Sequence, residues 1–212
     1  MKFEIKSIDA KWLMECDKEL IAAALMEYEL IQRKFVPWIC QIMANAENEK
    51  VRQLLLPNLI EESGSFGRQN SHHDLYLKML ERNKINVQNH TFDQLTLNTE
   101  KNFTKIFKSN NTYRSLCVVG PGIEAISADF LYPMYQGVLR NFGNSRSLIY
   151  FTLHLSEMED NHANCIEKAM KIMENENPKL LKKKDKYINE GIEIFKVFWV
   201  NLPKRLNLLW NS

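Results

Sequence analysis

A chain of 212 residues is long enough to enclose one sizeable hydrophobic core and gives no reason to expect a second domain. With 28 basic against 26 acidic residues, the net charge of +2 excludes a global field that would select nucleic acid or an anionic membrane as partner. Cys16, Cys40, Cys117 and Cys165 show no C-x-x-C spacing, so a thiolate zinc site is set aside and the thiols are expected reduced, in a cytoplasmic protein.

The first residues lack a long apolar run followed by a small-residue cleavage site, and no later run reads as long and uncharged enough to span a bilayer. Apolar residues recur at three and four positions with only 7 glycines and 6 prolines as punctuation, which predicts an all-α, single-domain helical bundle over 1–212. The first helix is expected over 9–28, with Trp12, Leu13, Cys16, Leu20, Ala23 and Ala24 inward. Pro37 interrupts 29–46, where it tends to kink or start a helix. From about residue 47 the apolar pattern continues to Glu62, with Gly64 and Gly67 as the stop. Ser71 then offers a cap for a helix carrying Leu75, Tyr76, Met79 and Leu80.

A polar connection over 83–89 precedes Thr91 and Gln94, whose capping-box spacing introduces Leu95, Leu97, Phe103, Ile106 and Phe107. After Gly120-Pro121-Gly122 the run 123–132 is apolar apart from Glu124 and Asp129. A buried carboxylate needs a partner, so both are candidate ligands. Glu124, just after Pro-Gly, equally suits a helix N-terminus. A helix from about 146 to 173 carries His154 and His162, and the last helix is expected over 180–200, broken by Pro203. Its aromatics read as core or as the surface of a homodimer. The run Lys182-Lys183-Lys184-Asp185-Lys186 reads as a solvated helix face.

Four of the five histidines fall in two clusters with acids. Glu61-Glu62 closes one helix and His72-His73 opens the next, while His154 and His162 flank Glu157, Glu159 and Asp160. Alone, each cluster is an ordinary helix end. Together they resemble the way a bundle gathers carboxylates and imidazoles around a metal in its core, and such mixed shells point to iron or manganese. One spacing is irregular. His154 and His162 lie eight apart, so a regular helix turns one roughly 80° from the other. A single-residue widening of the helix between His154 and Glu159 would realign them.

The segments Val36-Pro37-Trp38, Leu55 through Gly64 (LLPNLIEESG), Ser71-His72, and Phe151-Thr152-Leu153-His154 through His162-Ala163 resemble the haem-oxygenase-like di-iron oxidases. The resemblance covers about residues 35–163 and rests on the order of the motifs. It implies a haem-oxygenase-like bundle in which core helices supply glutamate and histidine, then a second glutamate, then histidine, an acid and histidine. Carried over, Glu62 and His72 come first. Asp129, four residues before Pro133, takes the second-glutamate place with Glu124 as fallback; His154, Glu159 and His162 complete the set. Here the last motif is one residue longer than in the family. The implied cofactor is two irons, or iron with manganese, with dioxygen as co-substrate and an amino acid, amine or fatty acid as small-molecule substrate. The other reading is a non-catalytic helical module with a degenerate metal site, binding a partner through its C-terminal aromatic and basic segment. Haem breakdown would need a histidine near the first helix, and thiamine hydrolysis a nucleophilic cysteine in a polar cleft. The sequence offers neither.

Overall fold

In the computed structural model, which describes residues 8–64, 70–143, 148–155 and 158–210 and leaves out the side chains of 158–161 and 207–210, the first expected helix divides in two. Asp17 accepts the Leu20 backbone N–H, separating α1 (Trp12–Glu15) from α2 (Lys18–Asn45). Helix α2 runs unbroken past Pro37. The proline sits on the exposed side, where the carbonyl it leaves unbonded can meet water, so the expected interruption is absent.

Asn48 caps α3 (Glu49–Ser63) through the N–H groups of Lys50 and Val51, and Gly64 ends it at φ 75°, a left-handed conformation that only glycine adopts cheaply. Its buried residues are Val51, Leu55, Asn58 and Glu62, spaced four, three and four. That spacing is one helix face, and it carries Glu62 into the core. Gly67 lies outside the described residues. Ser71 accepts the Asp74 N–H and so begins α4 (His72–Arg82) as expected. The start of α5 (Gln94–Phe107) differs. Asp93, rather than Thr91, caps it by accepting the Leu95 N–H.

Helix α6 (Thr112–Val119) ends in a tight corner. A Cβ on Gly120 would lie 2.5 Å from Ile166 Cγ2, and one on Gly122 would lie 2.6 Å from the Val118 carbonyl oxygen. Only glycines let the corner close this tightly and turn Glu124, in a short 3-10 turn (Glu124–Ile126), towards the core. Helix α7 (Ala128–Phe142) follows. One stretch among the described residues, Thr112–Phe142, is long and apolar enough to cross a membrane, against the sequence expectation. It is broken at this corner into two shorter helices, and 72% of its most apolar window is buried inside the protein.

Helices α8 (Ile149–His154) and α9 (Met158–Glu176) are separate elements, and α10 (Lys184–Trp210) continues through Pro203 instead of breaking there. Helix α2 is the centre of the bundle, touching α3, α4, α5, α7 and α10, while α3 lies along α9. The core is aromatic. Phe130 stacks on Phe195 at 5.2 Å and on Trp199 at 5.3 Å, and Tyr28 meets Tyr76, Phe130 and Trp199. Complete burial of such a ring contributes roughly 2–3 kcal/mol, which is why α10 is held firmly against α2. The described residues contain no strand, and the four cysteines are free.

Candidate metal centre

The face of α3 that buries Val51, Leu55 and Asn58 also buries Glu62, and Ser71 starts α4 so that its first residue, His72, turns inward beside it. His72 Nδ1 lies 3.0 Å from Glu62 Oε1, yet neither ring nitrogen has an aligned hydrogen bond. The His154 ring stands 4.4 Å from the His72 ring. Its Nδ1–H donates to the Tyr150 carbonyl at 2.8 Å, one turn back in α8, which leaves Nε2 as its ligand atom. His162 enters from α9, with Nδ1 3.8 Å from Glu62 Oε1.

These side chains form two overlapping groups. Glu62, His72 and His154 offer ligand atoms within 4.8 Å of one another, and so do Glu62, Glu124 and His162. All five residues are buried, and Glu62 belongs to both groups. The donor set fits iron: mixed carboxylate and imidazole shells suit it, and His72 Nε2 and His162 Nδ1 are buried ring nitrogens without hydrogen-bond partners. Beside the groups lies a cavity of about 30 Å³ walled by Tyr28, Phe35, Trp38 and Phe130, room for one or two water-sized molecules.

Burial alone would raise the Glu62 pKa. The contact with His72 and the charges of His72, His154 and His162 outweigh it and hold the carboxyl below its ordinary value. Burial lowers the His72 pKa, but Glu62, helped by Glu124 and Glu61, wins and the net direction is up. For His154 burial and the neighbouring His72 act together, pushing the ring down to about 4, so it stays neutral and ready to bind a cation.

Of the residues expected from sequence, Glu62, His72, His154 and His162 come together. Asp129 does not join them. It sits in the first turn of α7, where its carboxylate accepts the Ile8 backbone N–H at 3.0 Å, and Glu124 stands in the groups instead. The corner at Gly120 and Gly122 is the reason, because it points the 3-10 turn and not the following helix at the centre. The side chains of Glu157, Glu159 and Asp160 lie outside the described residues. The expected widening between His154 and Glu159 falls in part on residues 156–157, outside the described residues; α8 ends at His154 with Leu155 as its C-cap, and α9 runs from Met158. His154 from α8 and His162 from α9 each group with Glu62.

Sequence reading gave Glu61 and His73 no task. Glu61 contacts His162 Nε2, and His73 Nε2 pairs with buried Glu29 at 2.8 Å. Buried Glu27 likewise meets His90, the Asp93 N–H and Thr96. The histidine partners of these acids lie dozens of residues away, although Glu29 also pairs with Arg33 one turn along α2 at 3.3 Å.

The profile of a family described as iron-containing redox enzymes matches residues 22–184. The sequence matches none of the curated proteins. Among solved structures, a CADD-like protein of unknown function from Nostoc punctiforme PCC 73102 superposes with a TM-score of 0.79 at 20% identity, over 92% of this chain and 86% of its own. A TenA homolog from Pseudomonas syringae pv. tomato str. DC3000 gives 0.75 at 8% identity, over 92% and 84%. A domain of unknown function with a heme oxygenase-like fold from Shewanella denitrificans OS217 gives 0.74 at 11%, over 96% and 87%. At these identities the likeness establishes the haem-oxygenase-like fold alone. The family profile spans most of the chain and includes each member of the two buried groups, and the chain belongs to the iron-containing redox enzyme family.

Proposed function

We propose that the protein is a non-haem iron oxidoreductase that uses dioxygen to oxidise a small molecule at a dinuclear centre. Glu62, His72, Glu124, His154 and His162 would hold the metals, with an acid of α9, Glu159 by family resemblance, completing the set. The observation that carries this reading is the membership of Glu62 in both buried groups, which gives two sets of candidate ligands rather than one. Two irons, or iron with manganese, would supply the electrons that reduce dioxygen.

The chain's own residues have narrower tasks. Tyr150 holds the His154 ring by its carbonyl, His72 and His154 group with Glu62, and Glu124 and His162 group with the same carboxylate. The aromatic walls leave room for only one or two water-sized molecules beside the centre, which strengthens the charge interactions there. An amino acid, another amine or a fatty acid is the substrate class that the resemblance suggests.

Metal analysis of protein expressed with added iron should find about two ions per chain, as a dinuclear site requires. Anaerobically loaded protein should consume oxygen on exposure, and His162→Ala should abolish uptake while retaining the helical circular-dichroism spectrum. Inert iron-loaded wild type would return the chain to the partner-binding reading.

A further inference from the structure

Three residues of α3 address a single histidine of α9. The Asn58 side-chain amide donates to the His162 carbonyl at 3.3 Å, Glu62 approaches the His162 Nδ1 side at 3.8 Å, and the Glu61 carboxylate contacts Nε2. They stand at i, i+3 and i+4 of the helix, the spacing of neighbours on its surface. Glu62 is inside the core, whereas the Glu61 side chain is 37% exposed and reaches in from the rim. The His162 ring itself is 2% exposed, and its Nδ1 has no hydrogen-bond partner.

A neutral imidazole carries one N–H and one lone pair. A carboxylate against Nε2 draws the proton there, because a carboxylate accepts and cannot donate. The lone pair is then left on Nδ1, the nitrogen that faces Glu62. We propose that Glu61 is a positioning residue: it fixes His162 as the Nε2–H tautomer and so selects Nδ1 as the atom offered to the centre. Carboxylates behind ligand imidazoles set ring orientation and raise basicity in this way in metal sites generally. The role in metal binding rests on the function proposed above, but the tautomer is a property of the metal-free chain.

The test uses the full chain labelled with ¹⁵N-histidine, metal-free, at pH 8, with the His162 ring assigned by comparison with His162→Gln. Long-range ¹H–¹⁵N correlations should show Nε2 protonated and Nδ1 bare in wild type. Glu61→Gln should preserve that pattern, since the amide oxygen still accepts, whereas Glu61→Ala should give mixed tautomers. In ferrous-iron titrations Glu61→Ala should weaken affinity about 10- to 100-fold, with Glu61→Gln restoring most of it. A wild-type ring protonated on Nδ1 would overturn the proposal. So would Glu61→Ala that melts at a lower temperature yet keeps the wild-type tautomer and iron affinity, the signature of a plain helix–helix tie. If wild type takes up no iron, the dinuclear reading falls, and the ring tautomer alone decides the role of Glu61.

Discussion

His154 and His72 lie side by side, yet their protonation works on stability in opposite directions. An imidazole in the unfolded chain titrates near 6.5. Folded His154, buried and beside His72, titrates at about 4, so between those values the unfolded chain binds a proton that the folded chain refuses. Its contribution is complete above about pH 6.5 and is lost as pH falls towards 4. The His72 pKa is raised despite its burial because Glu62 contacts it, so its contribution is complete below about 6.5 and is lost as pH rises through the raised pKa. The metal-free protein should therefore resist urea best near neutrality. His154→Leu should flatten the acid limb of the stability profile and His72→Leu the alkaline limb; three superimposable profiles would refute the assignment. The same scale separates two acids that look alike in sequence. Glu124→Ala should lower bound iron from about two per chain towards one under the dinuclear reading. Asp129→Ala should leave iron content unchanged and cost about 1 kcal/mol in urea unfolding, the worth of its bond from Ile8. Asp129 reads as a ligand because it precedes Pro133 in an apolar run. What decides between the two acids is the direction of a turn, which no pattern of residue types displays.

Helices α3 and α4 were legible in the sequence because their signals are local: Ser71 caps α4, Gly64 stops α3, and Glu62 continues the apolar face of Val51 and Leu55; the Asn48 cap that begins α3 went unread. The prolines misled for an equally physical reason. Proline costs a helix its donor, but Pro37 stands on the exposed face of α2, and tertiary packing on both sides of Pro203 carries α10 through it. Between His154 and His162, eight residues apart, the chain is divided into two elements, α8 ending at His154 and α9 running from Met158, and the interval where a widened helix was expected lies partly outside the described residues. The corner between α6 and α7 offers the sharpest test at this scale. Gly122→Ala places a Cβ 2.6 Å from a backbone oxygen that cannot move aside, so it should destabilise by roughly 1–3 kcal/mol. It should also weaken iron binding without touching a ligand, because Glu124 hangs from that corner. Unchanged iron affinity together with the stability loss would separate the corner from the centre.

Across the molecule, hydropathy periodicity specifies an all-α core but not which helix lies against which, and the family resemblance added the bundle type and the order of the ligand motifs along the chain. The buried acids Glu27 and Glu29 were invisible as core residues, since the histidines that answer them come from the segment between α4 and α5 and from α4, with only Arg33 a local partner of Glu29. Such pairs exist only once the chain has folded, and the candidate centre is the extreme case. Its described donors come from α3, α4, the turn before α7, α8 and α9, from Glu62 to His162. Under the proposed reading the folded chain would act as a multidentate chelator, and the unfolded chain as a set of separate weak ligands. Letting go of a metal would then mean parting α9 from α3, with the contact between those helices as the seam. Iron loss to a competing chelator should accelerate with urea well below the unfolding midpoint, and at saturation should stop depending on chelator concentration, because opening of the seam sets the rate. A loss rate proportional to chelator throughout would mean that the competitor reaches the metal in the closed protein.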